Sequence, residues 1–539
     1  MHKNTARTVF MVMGQISAKK GGQTRVLLDR ASLFVRNGYT VKVLTLTWDI
    51  NLPNIVAELK ALGRVDSRVE FIDAHDFYVI NQSEKGTSYF LSFFQNQTKL
   101  YETGYNIDLS KFESDQQASY FKDGSLCKIK CWKEKKESSL ELNWILEPDE
   151  EQISYTVSYP YHDSRLCFRQ VVDSSSGNVL VGMHWGLDGN LKIKRNLLDP
   201  NRIIVFDEFG SEIKFDSDEG FLAFLIEFAC KQEEVKPFVI IDGFHWSDVA
   251  RHVEKHIADV ILVSHNSHLE LPNKGNKPIP AVYDKKFYHR VFKEWEKYAA
   301  LIILTEEQRE DILKDYPDIK NIFVIPNCIP NSRIPEQLNL VKKNECKVVC
   351  VTRLSFEKNI CDLIYAFLQV VTQRKDAVLE VYGDGEDKES LLRIVKRLKL
   401  ENNVFLKGYA LDVNKVYQSA LVSVLTSKSE GHPLALLESM VNGVPCVSFA
   451  CKYGPKESVS DGEDGFLLTP GDCKGLADRL VYALNHPDEV IQMGKRGKTK
   501  VSAVFGQEAY LEKWERVMDC LYSPELVQTT YSCRQMPRV

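Results

Sequence analysis

Short apolar runs alternate with amphipathic stretches at both ends of the chain, and the middle follows a different pattern. Residues 8–14 form one apolar run, which is typical of a parallel strand buried on both faces. The segment 23–36 repeats its apolar positions at helical spacing and is followed by Asn37-Gly38, a favourable helix C-cap. A second apolar run occupies 39–48. This order of strand, loop, helix and strand predicts an α/β unit with a parallel sheet.

From about residue 77, alternation with a period of two replaces the helical periodicity. Turn sequences such as Ser176-Gly177-Asn178 and Leu187-Asp188-Gly189-Asn190 separate the alternating segments. The predicted strands are 127–132, 141–145, 153–158, 166–172, 179–184 and 191–194. Together they predict an antiparallel β insertion over 77–195.

The α/β pattern then returns, and a second α/β unit follows it. Strands are predicted at 238–242, 260–264, 301–305 and 322–326, and then at 347–352, 377–382, 404–406, 421–425 and 445–448. The segment Pro326-Asn327-Cys328-Ile329-Pro330 is expected to be a stiff linker because its two prolines restrict the backbone.

The predicted domains are 1–76 with 196–330, the insertion 77–195, and 331–506, with a last helix at 507–525 packing back on the first domain. Two α/β domains facing a cleft favour ligand binding at the carboxyl ends of their strands.

Composition excludes several functional classes. The 539 residues suggest about three domains of roughly 150 residues each. The net charge of −5 provides no general attraction to nucleic acid. The 13 cysteines lack CxxC spacing, so we expect buried thiols of a reducing compartment and neither a zinc site nor a disulfide framework. No signal peptide is evident, and no apolar stretch approaches the ~20 residues of a spanning helix. We therefore expect a cytoplasmic protein. The sequence leaves open whether the protein acts at the inner face of the membrane.

Two carboxylates, Glu430 and Glu438, stand eight positions apart, with Gly431 and Pro433 between them. This arrangement predicts a strand that ends at Glu430, a tight turn, and a helix that begins near Pro433. A helix N-terminus in that position attracts phosphates through its backbone amides. Two glutamates at this spacing are also common on surface helices, so the prediction of a binding site depends on the strand and the turn that flank them.

Further candidate residues follow neighbouring strands of the second unit. Arg353 and Lys358 follow its first strand, where a planar guanidinium and a mobile ammonium can neutralise a diphosphate. Gly383 and Gly385 follow the next strand, where residues without side chains let the backbone approach a nucleotide. Lys407-Gly408-Tyr409 follows the strand after that.

In order and spacing, these elements over about residues 345–470 resemble the retaining GT-B glycosyltransferases of family four and their Glu-x7-Glu motif. The resemblance implies a UDP-sugar donor, no separate cofactor, no metal, and front-face displacement with retention of configuration. Arg353 and Lys358 would stabilise the leaving diphosphate, Glu430 would bind the donor sugar, and Glu438 would bind the ribose.

The resemblance also assigns backbone contacts to the donor. Lys407-Gly408-Tyr409 matches the segment that contacts the base, and the backbone of His432, Pro433 and Leu434 would face the phosphates. Related enzymes usually have an aromatic residue or Met at position 432, so His432 leaves the donor-sugar preference open.

The N-terminal half resembles the family less densely. Gly21 and Gly22 fit the loop whose amides approach the donor phosphates, although a simple turn before a helix would look the same. His265 and His268 follow a strand whose carboxyl end should face the cleft, and the family commonly places a histidine there near the donor sugar. We favour His265 for that role because it is closer to the strand end; a structural role is the alternative for either.

The β insertion resembles that of bacterial enzymes that attach α-linked glucose or N-acetylglucosamine to wall teichoic acid polyols. This resemblance favours transfer of a sugar from UDP-glucose or UDP-N-acetylglucosamine to a poly(polyol-phosphate), in a homo-oligomer formed through the insertion. Similar insertions occur in enzymes that glycosylate serine-rich surface proteins, so Ser/Thr O-glycosylation is the alternative. A further alternative is that the chain is a non-catalytic partner subunit of such an enzyme. The sequence also leaves peripheral membrane association open. The donor sugar and the acceptor are not distinguished by the sequence.

Overall fold

The computed structural model describes fifteen segments of the chain. They are residues 7–17, 22–49, 51–81, 117–122, 125–130, 142–145, 154–160, 166–173, 179–185, 190–196, 203–270, 283–284, 286–335, 344–410 and 412–522. Strands are numbered β1–β24 and helices α1–α15 in chain order.

The first sheet has seven parallel strands in the order β18-β17-β14-β13-β1-β2-β3. Its strands are β1 (Thr8–Met13), β2 (Thr40–Thr45), β3 (Glu70–Asp73), β13 (Phe238–Asp242), β14 (Asp259–Val263), β17 (Ala300–Ile303) and β18 (Ile322–Val324). The helices of this unit are α1 (Gly22–Arg36), α2 (Leu52–Ala61), α3 (Ala74–Asn81), α4 (Asp218–Cys230), α5 (Ser247–Ala250), α6 (Lys286–Lys293) and α7 (Glu306–Asp315). A two-stranded ribbon, β15 (Leu269–Glu270) and β16 (Tyr283–Asp284), lies beside them.

Strand β1 is buried on both faces, as its continuous apolar run predicts. Val9 and Met11 belong to one hydrophobic cluster, and Phe10 and Val12 belong to another. Because successive side chains of a strand point to opposite faces, the two clusters lie on opposite sides of the sheet. The core therefore occupies both faces of this central strand, which leaves its carboxyl end for a functional site.

The second sheet contains nine antiparallel strands in chain order from β12 to β4. They are β4 (Gln117–Lys122), β5 (Ser125–Lys130), β6 (Leu142–Ile145), β7 (Ser154–Pro160), β8 (Leu166–Asp173), β9 (Val179–Trp185), β10 (Leu191–Asn196), β11 (Ile203–Phe206) and β12 (Glu212–Phe215). The antiparallel insertion is thus present, and all six predicted strands lie within it.

The boundary predicted at residue 195 falls inside this sheet, because β11 and β12 continue it to Phe215. Ile193, Ile203 and Val205 are buried in the same cluster as α3 and α4 of the first unit. The last strands of the insertion therefore share a core with the first unit.

The third sheet has six parallel strands in the order β21-β20-β19-β22-β23-β24. They are β19 (Asn344–Val351), β20 (Val378–Tyr382), β21 (Val404–Gly408), β22 (Ala420–Leu425), β23 (Cys446–Phe449) and β24 (Phe466–Leu468). The helices of this unit are α8 (Ile360–Gln373), α9 (Lys388–Arg397), α10 (Val413–Gln418), α11 (Leu434–Val441), α12 (Pro455–Ser458), α13 (Cys473–Asn485) and α14 (Pro487–Val504). Two parallel α/β sheets with a separate antiparallel sheet confirm the predicted fold class.

The last helix, α15 (Gln507–Tyr522), packs on the first unit although it follows the second in sequence. Trp514 is 1% exposed and lies in one cluster with Leu27 and Phe34 of α1. The chain therefore crosses between the two units twice, once before β19 and once before α15.

The nine cysteines whose side chains the structure describes are free thiols, and Cys230, Cys350, Cys446 and Cys451 among them are buried. Burial raises the pKa of the Cys350 thiol to about 12. Among the same segments, no helix combines the length and the apolar character that crossing a bilayer requires.

Candidate active site

The loops after β14 and β22 bring His265 and Glu430 together from the two parallel sheets. A Cβ atom on Gly431 would lie 2.4 Å from the carbonyl oxygen of His265, so the two backbones are in direct contact. Only glycine allows this approach without a shift of the backbone. The two carboxyl-end edges therefore face each other, as the sequence predicts for a cleft.

Glu430 does not end a strand, which corrects the sequence prediction. Strand β22 ends at Leu425, and Glu430 lies in the loop that follows. Its N–H donates to the carbonyl of Lys452 at 3.0 Å, and its own carbonyl accepts from Tyr453 at 2.8 Å. Backbone bonds to a distant loop hold Glu430, a feature that local hydrophobic pattern cannot reveal.

Lys358 and Glu430 form an ion pair within the candidate site. Lys358 Nζ lies 2.6 Å from Glu430 Oε1, and the Ser427 hydroxyl donates to the same oxygen at 2.6 Å. The two charged side chains are 20% and 12% exposed. The predicted phosphate cation and the predicted sugar carboxylate therefore adjoin each other, so a ligand could contact both.

Arg353 extends into solvent beside this pair. Its side chain is 65% exposed and lies 3.8 Å from Glu357. The ammonium of Lys428 covers the Phe356 ring at 3.6 Å and supports the loop. Arg353 is thus placed for an incoming anion without a tight protein partner to displace.

Gly383 and Gly385 contact the Arg353 loop. Cβ atoms on these glycines would lie 1.8 Å from the Thr352 carbonyl oxygen and 2.3 Å from that of Leu354. Their positive φ angles of 139° and 159° also disfavour other residues. The close contact that requires glycine here is with protein backbone; donor binding at these residues stays a prediction.

The segment Lys407-Gly408-Tyr409 adjoins the same loops. Gly408 accepts a hydrogen bond from the N–H of Gly383 at 2.8 Å, and Lys407 lies 3.6 Å from Glu380. The Tyr409 side chain is 74% exposed. Three consecutive strand-end loops therefore lie side by side, and their contact with a base stays a prediction.

Glu438 contacts a residue that the sequence analysis missed. It lies within α11 and forms an ion pair with Arg25 of α1. Burial, followed by the charge of nearby Arg333, lowers the pKa of Arg25 to about 10. Arg333 in turn pairs with Asp29 at 2.9 Å. These charges join α1 to the second unit beside the predicted ribose site.

The predicted phosphate-binding turns meet at this point. A Cβ atom on Gly22, the first residue of α1, would lie 3.7 Å from the Leu434 side chain. Pro433 is the N-cap of α11, and Leu434 is the first residue of that helix. Two helix N-termini are therefore adjacent, an arrangement that favours an anion. Gly21 lies outside the described residues.

The His432 side chain is directed at the interdomain linker and not at the donor site. Its Nδ1 accepts from the N–H of Asn327 at 3.1 Å, its Nε2 lies 3.1 Å from Ser458 Oγ, and its carbonyl accepts from the Asn327 side chain at 2.7 Å. Complete burial lowers its pKa to about 3. In this arrangement the donor could meet only the backbone of residue 432.

The two candidate histidines differ in their surroundings. His265 Nε2 lies 2.5 Å from Asp242 Oδ1, and Asp242 pairs with Arg30. His268 is 1% exposed and stacks on Tyr453, with ring centroids 5.7 Å apart. His265 is the histidine whose backbone touches the Glu430 loop. A sugar contact of either histidine stays a prediction.

Arg25, Arg30 and Asp242 are the polar residues that sequence reasoning missed. Asp242 ends β13, and a carboxylate at the end of a buried strand is a detectable signal. The two arginines lie in an amphipathic helix, where a charged residue usually faces solvent. Nothing in their local pattern indicates the buried partners.

Comparison with known proteins gives consistent similarities. Residues 333–500 match the family described as Glycosyl transferases group 1. The poly(glycerol-phosphate) alpha-glucosyltransferase of Bacillus subtilis (strain 168) is 24% identical, over 97% of this chain and 76% of that protein. The poly(ribitol-phosphate) alpha-N-acetylglucosaminyltransferase of Staphylococcus aureus (strain COL) is 23% identical, over 94% and 99% respectively. The crystal structure of TarM has a TM-score of 0.70 and 21% identity, covering 96% of this chain and all of the other.

Proposed function

We propose that this chain, whose residues 333–500 match the group 1 glycosyltransferases, transfers glucose or N-acetylglucosamine from a UDP-sugar to hydroxyls of a poly(polyol-phosphate) teichoic acid. The observation that carries this proposal is similarity to two polyol-phosphate transferases over 94% or more of the chain. That similarity extends across the insertion as well as the two parallel sheets.

The proposed donor site uses the groups that adjoin at the cleft. Arg353 and Lys358 stabilise the leaving diphosphate, and the backbone N–H groups of His432, Leu434 and Gly22 add donors near two helix N-termini; Pro433 has no N–H to donate. Glu430 accepts from donor-sugar hydroxyls and Glu438 from the ribose. Bound in this way, the diphosphate contacts Lys358 while Lys358 stays paired with Glu430. The ribose contacts Glu438 while Glu438 stays paired with Arg25.

We propose front-face displacement with retention of configuration. The acceptor oxygen forms a bond to the anomeric carbon while the bond from that carbon to the β-phosphate oxygen breaks. The acceptor proton passes to the departing phosphate, so UDP and the glycosylated polymer are the products. The protein contributes charge stabilisation and positioning. Since two protein cations neutralise the diphosphate, activity should persist in EDTA.

We also propose a cytoplasmic homo-oligomer that forms through the insertion, with access to the inner face of the membrane. Strands β4 and β12 are the edges of the nine-stranded sheet, and an edge strand can pair with another chain. Light scattering coupled to size-exclusion chromatography tests the oligomer, and sedimentation with anionic vesicles tests the membrane association.

The decisive experiment measures UDP release from UDP-glucose and UDP-N-acetylglucosamine. Each donor is tested with poly(glycerol-phosphate), poly(ribitol-phosphate) or a Ser-Asp repeat peptide. Release stimulated by one polyol polymer would identify donor and acceptor together. Stimulation by the peptide alone would replace the proposal with protein O-glycosylation. UDP binding without release from any pair would indicate a non-catalytic subunit.

A further inference from the structure

A buried chain of ionisable side chains extends from His265 through Asp242 to Arg30. His265 Nε2 lies 2.5 Å from Asp242 Oδ1, and Asp242 Oδ2 pairs with the guanidinium of Arg30. The side chains of His265, Asp242 and Arg30 are 7%, 3% and 1% exposed. A buried charge is tolerated only where its partners compensate the lost hydration. The three groups therefore form one interdependent unit.

Asp242 is ionised within this unit. Burial by itself would raise its pKa, but the charge of Arg30 and the hydrogen bond from His265 outweigh burial, and the net direction is downward. An ionised carboxylate can only accept hydrogen bonds. The nitrogen that faces it, Nε2 of His265, must therefore carry a hydrogen.

We propose that Asp242 is a positioning residue that fixes His265 in the Nε2–H tautomer, so that Nδ1 accepts a hydroxyl of the bound sugar. The proposal rests on the proposed transfer reaction, because it assigns His265 a sugar contact. In a neutral imidazole one nitrogen donates and the other accepts, so fixing the first also defines the second.

The last helix of the chain completes this support. The guanidinium of Arg30 lies 5.1 Å from the centroid of the Trp514 ring, and that ring lies 6.2 Å from the ring of Tyr510, centroid to centroid. Both aromatic residues belong to α15. A segment that follows the second unit in sequence therefore holds the arginine that orients Asp242 in the first.

The variant Asp242→Asn removes the negative charge and changes the hydrogen bond to His265, but it keeps the size and shape of the side chain. Arg30 has only donors, so the amide oxygen of asparagine must face it, and the NH2 group must face His265. That NH2 group donates to Nε2 and forces the hydrogen onto Nδ1. We expect kcat to fall about 10- to 100-fold, with a smaller change in KM.

A cycle with His265→Ala tests whether Asp242 acts through His265. If it does, adding Asp242→Asn to His265→Ala lowers kcat no further. The proposal would be overturned if the two substitutions lowered kcat by independent factors that multiply in the double variant. It would also be overturned by a folded Asp242→Asn enzyme with kcat within about twofold of wild type. Asp259→Asn is the matched control, because Asp259 pairs with Arg7 at 2.5 Å at the opposite end of the same sheet. That control should lose stability but keep kcat.

The tautomer is measured directly by ¹⁵N NMR of the full chain labelled at histidine. The His265 signals are assigned by their loss in His265→Gln. We expect a protonated Nε2 and an unprotonated Nδ1 in wild type, reversed in Asp242→Asn and unchanged in Asp259→Asn. A wild-type ring protonated at Nδ1 alone would overturn the proposal even if Asp242→Asn failed to fold. This measurement needs no turnover, so failure of the transfer reaction is seen separately in the UDP-release assay.

Discussion

At the scale of single residues, three of the predicted site residues, Lys358, Glu430 and Glu438, already have charged protein partners. Lys358 pairs with Glu430, and Arg25 pairs with Glu438. Unpaired, these groups would repel like charges or lose hydration without compensation. These pairs keep the site assembled in the absence of a ligand, and a donor bound as proposed would replace or extend them.

Replacing Lys358 by alanine should lower kcat about 100-fold or more, since it removes one preorganised charge from the leaving diphosphate. Steady-state UDP release measures the loss, and circular dichroism checks folding. Lys42→Ala is the control, because Lys42 forms a similar ion pair with Glu233 at 2.7 Å in the first unit. Near-wild-type turnover of the Lys358 variant would refute the proposed role.

His432 should make stability depend on pH. Its folded pKa of about 3 lies below the unfolded value of 6.5, so the unfolded chain binds the extra proton between these values. Stability is thus lost as pH falls below 6.5, and by pH 5 the loss should reach about 2 kcal/mol. Denaturant unfolding of wild type and His432→Gln at pH 7 and pH 5 isolates this contribution. An identical pH dependence in both proteins would contradict the expectation.

At the scale of elements, the turn before α11 matters more than the helix itself. Gly431 lies against the His265 backbone, while Pro433 and Leu434 begin the helix at the place predicted. The turn joins the loops that follow β14 and β22. Its geometry therefore sets the distance between Glu430 and His265.

Gly431→Ala should separate these two loops, because the added methyl group would lie 2.4 Å from the His265 carbonyl oxygen. A displacement of about 1 Å can cost about 100-fold in rate, and we expect a loss in kcat approaching that size. Gly462→Asn is the control: position 462 has open space and a φ of 78°, which asparagine tolerates. Full activity of the Gly431 variant would show that the contact is dispensable.

At the scale of the whole molecule, polar contacts join the two units on several sides of the cleft. Asp311 of α7 accepts from Lys452 and from the Tyr453 hydroxyl. Glu457 accepts from the backbone N–H groups of Glu306 and Glu307 at the start of the same helix. With the buried linker and α15, these contacts hold the two sheet edges face to face.

Trp514→Ala should destabilise the first unit although residue 514 follows the second. Removing a buried tryptophan typically costs about 3–5 kcal/mol. Hydrogen exchange should therefore accelerate in β1 and α1, which share a core with Trp514, before it accelerates in β19 or β22. Phe367→Ala in the second core should show the reverse order. Uniform acceleration in both variants would mean that the two cores unfold together.

The sequence by itself determined the alternation of strands and helices in the two α/β units and the antiparallel character of the insertion. Strand β1, the six predicted insertion strands and the start of α11 depend on local periodicity and turn residues, which the chain displays directly. Arg353 and Lys358 lie in the loop after β19, and Glu430 and Glu438 lie on either side of the start of α11, as the spacing in the sequence indicates. Their roles in binding the donor stay predictions.

Only the tertiary structure decided which partners these residues have. Arg30 and Asp242 are 212 positions apart, and Asn327 and His432 are 105 apart. Such contacts leave no periodic signal, because they depend on how separate sheets and helices pack. The same reason explains why the end of the insertion, the direction of His432 and the roles of Arg25 and Asp242 escaped prediction. Local pattern specifies elements, and packing assigns the neighbours of each side chain.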